Sequence, residues 1–434
     1  MNLGANIAER VLGDKPTSTT PKYQPRASGE TMKALRWYGA QTVRVEEVPA
    51  PTITDPEDVV LRITGATVCG SDLHLYHKEI IQLQEGDILG HEFCGIVDEV
   101  GPAVKNVKVG DRVVSSFQVA CGTCHFCKQG LTSMCDTTNN SNLQEKMYGS
   151  KIGGVFGYSH FVGGFAGGQA EYVRVPFGDN SLLKIPDDVP DEKALYLSDI
   201  IPTSYHAVLC ANVQAGSVVA IWGLGPIGLF CAKWSLIQGA SRVICVDPDQ
   251  QRIDFAVQHL GVEGILADKS TDVVAKIREK IAIGPDCVID AAGFRFTKGI
   301  LHTVQRAVGL ETDSSEILNE EIRAVRKFGT ISLIADYAAT TNGLNIGAIM
   351  EKGITLRGAG QCPVQKYWHD LLKKVQDGTF DPTFAITHRF RIEDTAAVYK
   401  MMDEHTDGII KSFIQTKWSA PAAQGFPVLQ SPTV

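Results

Sequence analysis

Residues 217–228 read Ser-Val-Val-Ala-Ile-Trp-Gly-Leu-Gly-Pro-Ile-Gly, and this stretch decides the fold of the second half of the chain. Its apolar first half predicts a buried strand, and the run 229–238 that follows predicts a helix. The turn between them has the pattern G-x-G-x-x-G and comprises Gly223, Gly225, Pro226, Ile227 and Gly228. Such glycines permit a tight turn and let backbone N–H groups approach a diphosphate at the helix N-terminus. The stretch predicts a dinucleotide site; a glycine-rich turn that binds no nucleotide is the alternative.

The next predicted strand, 243–246, ends in Asp247, which lies 19 positions after Gly228. A carboxylate at this place accepts hydrogen bonds from the ribose hydroxyls and repels a 2′-phosphate, so it favours NAD over NADP. Arg252 lies further on and could face the adenine edge, so NADP is disfavoured without being excluded.

Further strand–helix units are predicted, and they indicate a doubly wound parallel sheet. They lie at 264–267, 273–281, 287–290 and 330–335. Residues 296–327 are long for one crossover and hold an acidic stretch at 311–321, so we expect a loop insertion there.

The first half of the chain predicts a partly closed β domain, because short alternating runs are separated by turn signals. The predicted strands are 32–48 (two strands with a turn at Gly39), 59–66, 95–100, 111–115 and 170–175, with a loop-like region at 136–168. After about Gly360, predicted helices at 364–378 and 392–403 and extended runs at 384–390 and 408–415 return to this domain. We expect an arm (1–31), the β domain (32–200 and 361–418), the nucleotide domain (201–360) and a tail (419–434), with arm and tail disordered or loosely packed.

The composition is that of an ordinary globular protein, with 434 residues and 44% hydrophobic content. A formal net charge of −8 without a long basic run argues against nucleic acid or an anionic membrane as the main partner. No apolar run is long enough to span a bilayer, and the N-terminal residues have no secretory pattern. We therefore expect a cytoplasmic protein.

The strongest local signal is Cys121-Gly-Thr-Cys124-His-Phe-Cys127, followed by Cys135. These spacings allow a loop to wrap one tetrahedral ion, and four thiolates fill all its positions, so the ion would be a structural zinc. Four unrelated buried thiols, or an iron–sulfur cluster, are the alternatives; the spacing matches neither ferredoxin pattern.

A second zinc site is predicted from Cys69 and His91, which supply a thiolate and an imidazole. A catalytic zinc needs three protein ligands and one open position. Glu92, next to His91, and Asp199 are the candidate carboxylates. A buried cysteine and a satisfied histidine beside a glycine turn are the competing interpretation.

Taken together, these motifs resemble the zinc-containing medium-chain alcohol dehydrogenases over about 32–418. The resemblance rests on Cys69-Gly-Ser-Asp-Leu-His74, Gly90-His91-Glu92, the four-cysteine loop and the glycine turn. Within the family the chain is most similar to the glutathione-independent formaldehyde dehydrogenase and dismutase branch. That likeness rests on Gly167-Gly168-Gln-Ala-Glu-Tyr-Val, Leu197-Ser-Asp199-Ile-Ile-Pro-Thr203 and the insertion after 296. The resemblance implies a GroES-like catalytic domain, a Rossmann domain, two Zn²⁺ per chain, NAD and a homo-oligomer, either a dimer or a tetramer.

The resemblance also implies roles for single residues. Cys69, His91 and Asp199 would be the zinc ligands, with Asp199 where the family's usual example has a second cysteine. Glu92 would be a close neighbour of the metal. The remaining implied roles are proton acceptance by Ser71, proton transfer to solvent by His74, a nicotinamide contact by Thr203 and a diphosphate contact by Lys411.

These inferences predict an NAD-dependent zinc enzyme that oxidises an alcohol or a hydrated aldehyde. Three alternatives are a dismutase with retained NAD, a sugar-alcohol dehydrogenase, which the insertion after 296 disfavours, and a non-catalytic zinc and NAD binding protein. The sequence does not name the substrate. Phe117, Phe156 and Phe294 are candidates to set the size of its pocket.

Overall fold

The computed structural model describes residue 13 and residues 15–292, 313–337 and 340–433. The chain divides into two compact units, Met1–Pro202 with Pro363–Val434, and Thr203–Cys362. The helix Ile200–Cys210 contains the first boundary. Among the described residues, no helix is both long enough and apolar enough to cross a membrane.

The unit 203–362 is built on a six-stranded sheet in which every neighbouring pair is parallel. Its strands lie in the order Glu263–Leu266, Arg242–Asp247, Val218–Trp222, Cys287–Asp290, Thr330–Leu333 and Thr355–Gly358. The central strands are buried on both faces, which explains their continuous apolar sequence. The predicted doubly wound α/β architecture is confirmed. The edge strand Thr355–Gly358 was not predicted, because three of its four residues are exposed and it has no apolar run.

The described helices of this unit agree with the prediction at Pro226–Ile237 and Val273–Lys280, whereas Gln250–Leu260 and Ile346–Lys352 were not predicted. In chain order, its helices are Pro226–Ile237, Gln250–Leu260, Val273–Lys280, Glu316–Ala324 and Ile346–Lys352, and a short parallel pair joins Asp313–Ser314 to Thr341–Asn342. The prediction of a loop over 296–327 is wrong where the helix Glu316–Ala324 lies, because Leu318 and Ile322 bury one face of it. Residues 293–312, which include Phe294 and the start of the acidic stretch, lie outside the described residues.

The other unit contains a seven-stranded, largely antiparallel sheet, which agrees with the predicted β domain. Six strands lie in the order Leu182–Lys184, Arg112–Ser115, Phe93–Val100, Val59–Ala66, Lys411–Gln415 and Ile386–Arg391, and Tyr172–Val175 also pairs with Val59–Ala66. The remaining strands pair as Thr31–Gly39 with Thr42–Pro49, Gln24–Pro25 with Pro51–Thr52, and Gln118–Val119 with Gly154–Val155. The returning strand Lys411–Gln415 lies inside the sheet, between Val59–Ala66 and the edge strand Ile386–Arg391.

Short helices connect these strands. The α-helices are Gly70–Tyr76, His125–Lys128, Asn142–Tyr148, Gly178–Ser181, Asp191–Ala194, Val364–Gln376 and Thr395–Glu404. The 3₁₀ helices are Thr132–Met134, His160–Val162, Leu195–Ser198, Pro382–Ala385, Ile392–Asp394 and Thr406–Gly408. The loop predicted at 136–168 is thus partly helical, and the hydroxyl of Ser141 caps Asn142–Tyr148 by accepting from Gln144 N.

The described parts of the arm and the tail are mostly exposed, but hydrogen bonds join a few of their residues to the sheet. The buried guanidinium of Arg174 donates to Thr20 O, to the Thr19 hydroxyl and to the Asp58 carboxylate. In the tail, Ala420 O accepts from buried Arg389. A buried arginine therefore contacts each described segment, and the loose packing of arm and tail stays a prediction.

Candidate active site

The four-cysteine loop brings its sulfur atoms together, all within 4.8 Å of one another. Helix His125–Lys128 begins directly after Cys124, and the turn Thr132–Met134 ends at Cys135. Backbone N–H groups point at the sulfurs; Cys121 N lies 3.4 Å from Cys135 Sγ, and Cys124 N lies 3.3 Å from Cys121 Sγ. Hydrogen bonding within the cluster, first from Cys127, lowers the pKa of Cys121. Four convergent thiols, with amide donors for their charge, fit a closed tetrahedral zinc site.

Four side chains from three separate stretches of the chain form a second candidate metal site, which we call the metal group. One ligand atom each of Cys69, His91, Glu92 and Asp199 lies within 4.8 Å of all the others. Cys69 precedes the helix Gly70–Tyr76, His91 and Glu92 precede a central strand, and Asp199 precedes the helix Ile200–Cys210. His91 Nε2 is 3.3 Å from Asp199 Oδ2. The structure therefore brings together all four predicted residues, and a thiol, an imidazole and carboxylates suit an open zinc site.

The other nitrogen of His91 faces a carboxylate. His91 Nδ1 lies 3.2 Å from Asp72 Oδ1, and both side chains are almost fully buried. Burial alone would lower the pKa of His91, but the charge of Asp72 and a hydrogen bond with Asp199 raise that pKa well above its usual value. A position that attracts a proton between these groups is also a position that attracts a cation. Asp72 was not among the predicted site residues, although its place within the motif Cys69-Gly-Ser-Asp-Leu-His74 was an available signal.

Lys411 lies beside the metal group. Its Nζ lies 2.5 Å from Glu92 Oε1, and both side chains have 0% exposure. Burial alone would lower the pKa of Lys411, but the neighbouring Glu92 raises it. The ammonium is thus paired with a carboxylate of the metal group, and its contact with a diphosphate stays a prediction. Glu92 Oε2 is buried and has no hydrogen-bond partner among the described residues, as expected for an atom that faces a cation.

Ser71 and His74 lie three residues apart on the helix Gly70–Tyr76, on one face. Ser71 Oγ is 3.4 Å from His91 Nε2, so the hydroxyl adjoins the metal group. His74 Nδ1 is 3.4 Å from Glu79 Oε2, and its side chain is 21% exposed. The helix thus leads from the buried group to a side chain with access to solvent.

Two aromatic rings stand edge-on to His91. Phe117 and Tyr158 each have a ring centroid 6.2 Å from the imidazole centroid. Phe156, the other described candidate for the pocket wall, instead packs against Phe93 and is fully buried in the core. Tyr158 was missed, because its position in a glycine-rich region carries no local pattern.

The glycine turn has the geometry that its sequence predicted. Gly223 has φ +88°, and a Cβ there would lie 2.6 Å from Ala291 O. A Cβ on Gly228 would lie 1.8 Å from Gly223 O, whereas a Cβ on Gly225 would meet nothing within 4 Å. Gly225 is the N-cap of the helix, and Pro226 is at its first turn. The turn is thus closed on the sheet side and open at Gly225, where a phosphate can approach the helix N-terminus.

Asp247 anchors this turn from the neighbouring strand. Its Oδ2 accepts from Leu224 N at 2.6 Å, its Oδ1 accepts from Asp249 N at 2.8 Å, and burial raises its pKa. Arg252, in the first turn of the next helix, is half-buried, with its Nε 3.8 Å from Asp249 Oδ2. Thr203 is buried in the helix Ile200–Cys210. The contacts of Thr203 and Arg252 with a nucleotide stay predictions.

Comparison with known proteins agrees with this geometry. The family "Alcohol dehydrogenase GroES-like domain" matches residues 55–187, and "Zinc-binding dehydrogenase" matches 226–309. A zinc-type alcohol dehydrogenase-like protein of Schizosaccharomyces pombe is 45% identical over 95% of this chain and 98% of its own length.

A glutathione-independent formaldehyde dehydrogenase of Pseudomonas aeruginosa is 34% identical over 79% of this chain and 87% of its own length. Among solved structures, alcohol dehydrogenase TADH from Thermus sp. ATN1 has a TM-score of 0.74 and 30% identity, and the match covers 89% of this chain and 100% of that one. Together with the four-cysteine loop, the metal group and the glycine turn, these matches show that the chain belongs to the zinc-containing alcohol dehydrogenase family.

Proposed function

We propose that the chain is an NAD-dependent dehydrogenase that oxidises a small alcohol or hydrated aldehyde at a zinc held by Cys69, His91 and Asp199. The observation that carries the proposal is the convergence of these side chains and Glu92 within 4.8 Å, with Ser71 beside them. Bound zinc would supply Lewis-acid activation of the substrate oxygen, and NAD would accept the hydride.

The chain's own residues would handle the proton. Ser71 Oγ, 3.4 Å from His91, is placed to accept the proton of the substrate hydroxyl. His74, one turn further along the same helix and partly exposed, would pass that proton to solvent. Phe117 and Tyr158 flank His91 and would exclude water from one side of the substrate. Two rings this close to a ligand favour a small substrate.

We assign the NAD site to the unit 203–362, with the diphosphate at Gly225 and the ribose at Asp247. The open space at Gly225 and the backbone-anchored carboxylate of Asp247 support this assignment. We assign a structural zinc to Cys121, Cys124, Cys127 and Cys135, which makes two zinc ions per chain. We further propose that the protein is cytoplasmic and forms a homo-oligomer, either a dimer or a tetramer. Sedimentation of the purified protein tests the oligomeric state.

The test combines two assays of one preparation. NADH formation is measured with a panel of short and long alcohols and aldehydes, and products are analysed without added NAD. NADH formed from short substrates supports the dehydrogenase. Equal yields of alcohol and acid from one aldehyde without added NAD would favour a dismutase that retains its cofactor. A preference for polyols would favour a sugar-alcohol dehydrogenase, and no turnover of any substrate would overturn the proposal.

A further inference from the structure

Gln169 is a fully buried side chain whose polar atoms are all used. Its Nε2 donates to Asp72 Oδ2 at 3.2 Å and to Thr67 O at 3.0 Å. Its Oε1 accepts from the hydroxyl of Tyr399 at 2.9 Å. Asp72, Gln169 and Tyr399 each have 0% exposure. A buried amide with this many partners has a single orientation, because the opposite one would turn its oxygen towards a carboxylate.

Asp72, at one end of this chain of hydrogen bonds, contacts two of the proposed zinc ligands. Its Oδ2 accepts from Cys69 N at 2.9 Å, and its Oδ1 lies 3.2 Å from His91 Nδ1. A carboxylate on the outer nitrogen of a metal-binding histidine fixes the ring and increases its basicity. The orientation of Asp72 therefore affects the thiol ligand and the imidazole ligand together.

Packing gives Gln169 a second connection to the ligand residues. A Cβ on Gly90, the residue before His91, would lie 2.4 Å from Gln169 Cγ, so the amide side chain lies directly against this turn. The backbone of Gln169 is also fixed, since its N–H donates to Leu89 O and its carbonyl accepts from Leu35 N. The amide is thus held by its backbone and by both of its polar ends.

We propose that Gln169 and Tyr399 are positioning residues that hold Asp72 in the orientation that presets Cys69 and His91 for the metal. We call the hydrogen-bonded series Tyr399, Gln169 and Asp72 the relay. Tyr399 belongs to the helix Thr395–Glu404, so the relay connects the C-terminal part of the unit to the metal group. The inference rests on the zinc site of the proposed function and adds residues that neither bind the metal nor touch the substrate. A glutamate in place of Gln169 would set a second carboxyl against Asp72 and break the relay.

The test measures metal retention as well as turnover in the purified full-length protein, with Zn²⁺ and Co²⁺ as probes. Tyr399→Phe removes one hydroxyl, and Gln169→Met removes the amide while keeping the chain length. Tyr172→Phe is the matched control, because the buried Tyr172 donates to Glu30 Oε1 at 2.9 Å in the same unit. Both relay variants are expected to release one metal equivalent to a chelator roughly ten- to hundred-fold faster than the control. The second equivalent, in the four-cysteine loop, should be retained as in wild type.

The Co²⁺ absorption bands of the less tightly held site should shift in both relay variants, and the double variant should lose metal no faster than Gln169→Met. Release rates and spectra equal to those of Tyr172→Phe would overturn the relay, whatever happens to turnover. If Gln169→Met does not fold, Tyr399→Phe decides alone. If the wild-type protein retains only the metal of the four-cysteine loop, the proposed catalytic zinc site is wrong, and the relay with it. This result differs from a failure of the relay alone, in which the wild type holds both metals and the variants behave like the control.

Discussion

Lys411 Nζ lies 2.5 Å from Glu92 Oε1, and neither side chain has exposed surface. A buried ion pair makes only a modest net contribution to the free energy of folding. Removing one partner, however, leaves an uncompensated charge in a medium of low polarity. Lys411→Met is therefore expected to lower the free energy of unfolding by about 3–5 kcal/mol. Urea unfolding followed by circular dichroism measures this.

The exposed pair between Lys33 and Glu393 is the control, with an N–O distance of 2.5 Å and side-chain exposures of 40% and 44%. Lys33→Met should lower the free energy of unfolding much less than Lys411→Met does, because solvent screens that pair. Combining Lys411→Met with Glu92→Gln should recover part of the loss. Equal losses for Lys411→Met and Lys33→Met would contradict the buried charge pair.

Asp199→Ala tests the third ligand of the proposed catalytic zinc. The variant should lose turnover and hold about one zinc per chain instead of about two, since one of the two site types loses a ligand. Elemental analysis after gel filtration gives the zinc content. Asp191→Ala serves as the control. Asp191 lies eight positions before Asp199 but pairs with Arg112, so its loss should affect neither quantity. Full activity of Asp199→Ala would show that Glu92, or no residue, fills the third position.

Cys124→Ser tests the four-cysteine loop. Because a structural ion contributes directly to folding, the variant should lose one zinc and have a lower melting temperature, while the folded fraction keeps some activity. Cys231→Ala controls for the loss of a buried thiol, since Cys231 is fully buried outside the loop. The control is expected to lose stability without losing zinc. Unchanged zinc content and melting temperature in Cys124→Ser would argue for four ordinary thiols.

The features that the sequence predicted well are those encoded by neighbouring residues. The strand, turn and helix around Gly223 follow from a local pattern, and so does the four-cysteine loop. The strand Thr355–Gly358 was missed because an exposed edge strand needs no apolar run. The helix Glu316–Ala324 was missed because its acidic residues, Glu316, Glu320 and Glu321, are as numerous as its buried apolar residues, Leu318, Ile322 and Ala324.

Contacts between distant residues could not be predicted. The pair between Lys411 and Glu92 joins positions 319 residues apart, and a lysine in a closing strand reads equally well as an exposed cation. The arm and the tail have polar, proline-containing sequences typical of loose segments. In their described parts, two buried arginines, Arg174 and Arg389, donate to the carbonyl groups of Thr20 and Ala420. Such anchoring is visible only once the sheet that carries each arginine has formed.

Asp247→Ser tests the choice of cofactor. In the protein, Asp247 is held by Leu224 N and Asp249 N, so its carboxylate is already fixed at the end of the strand where a ribose would lie. Hydrogen bonds to a charged group contribute about 1.5–3 kcal/mol each, so kcat/KM for NAD should fall roughly ten- to hundred-fold. The kcat/KM for NADP should fall less than that for NAD, or should rise, because the repulsion between the Asp247 carboxylate and a 2′-phosphate is removed. Asp268→Ser, at an exposed turn after the next strand, controls for the change in net charge and should leave the ratio of the two cofactors unchanged. Equal use of NADP and NAD by the wild-type enzyme would refute both the preference and the place of Asp247 at the ribose.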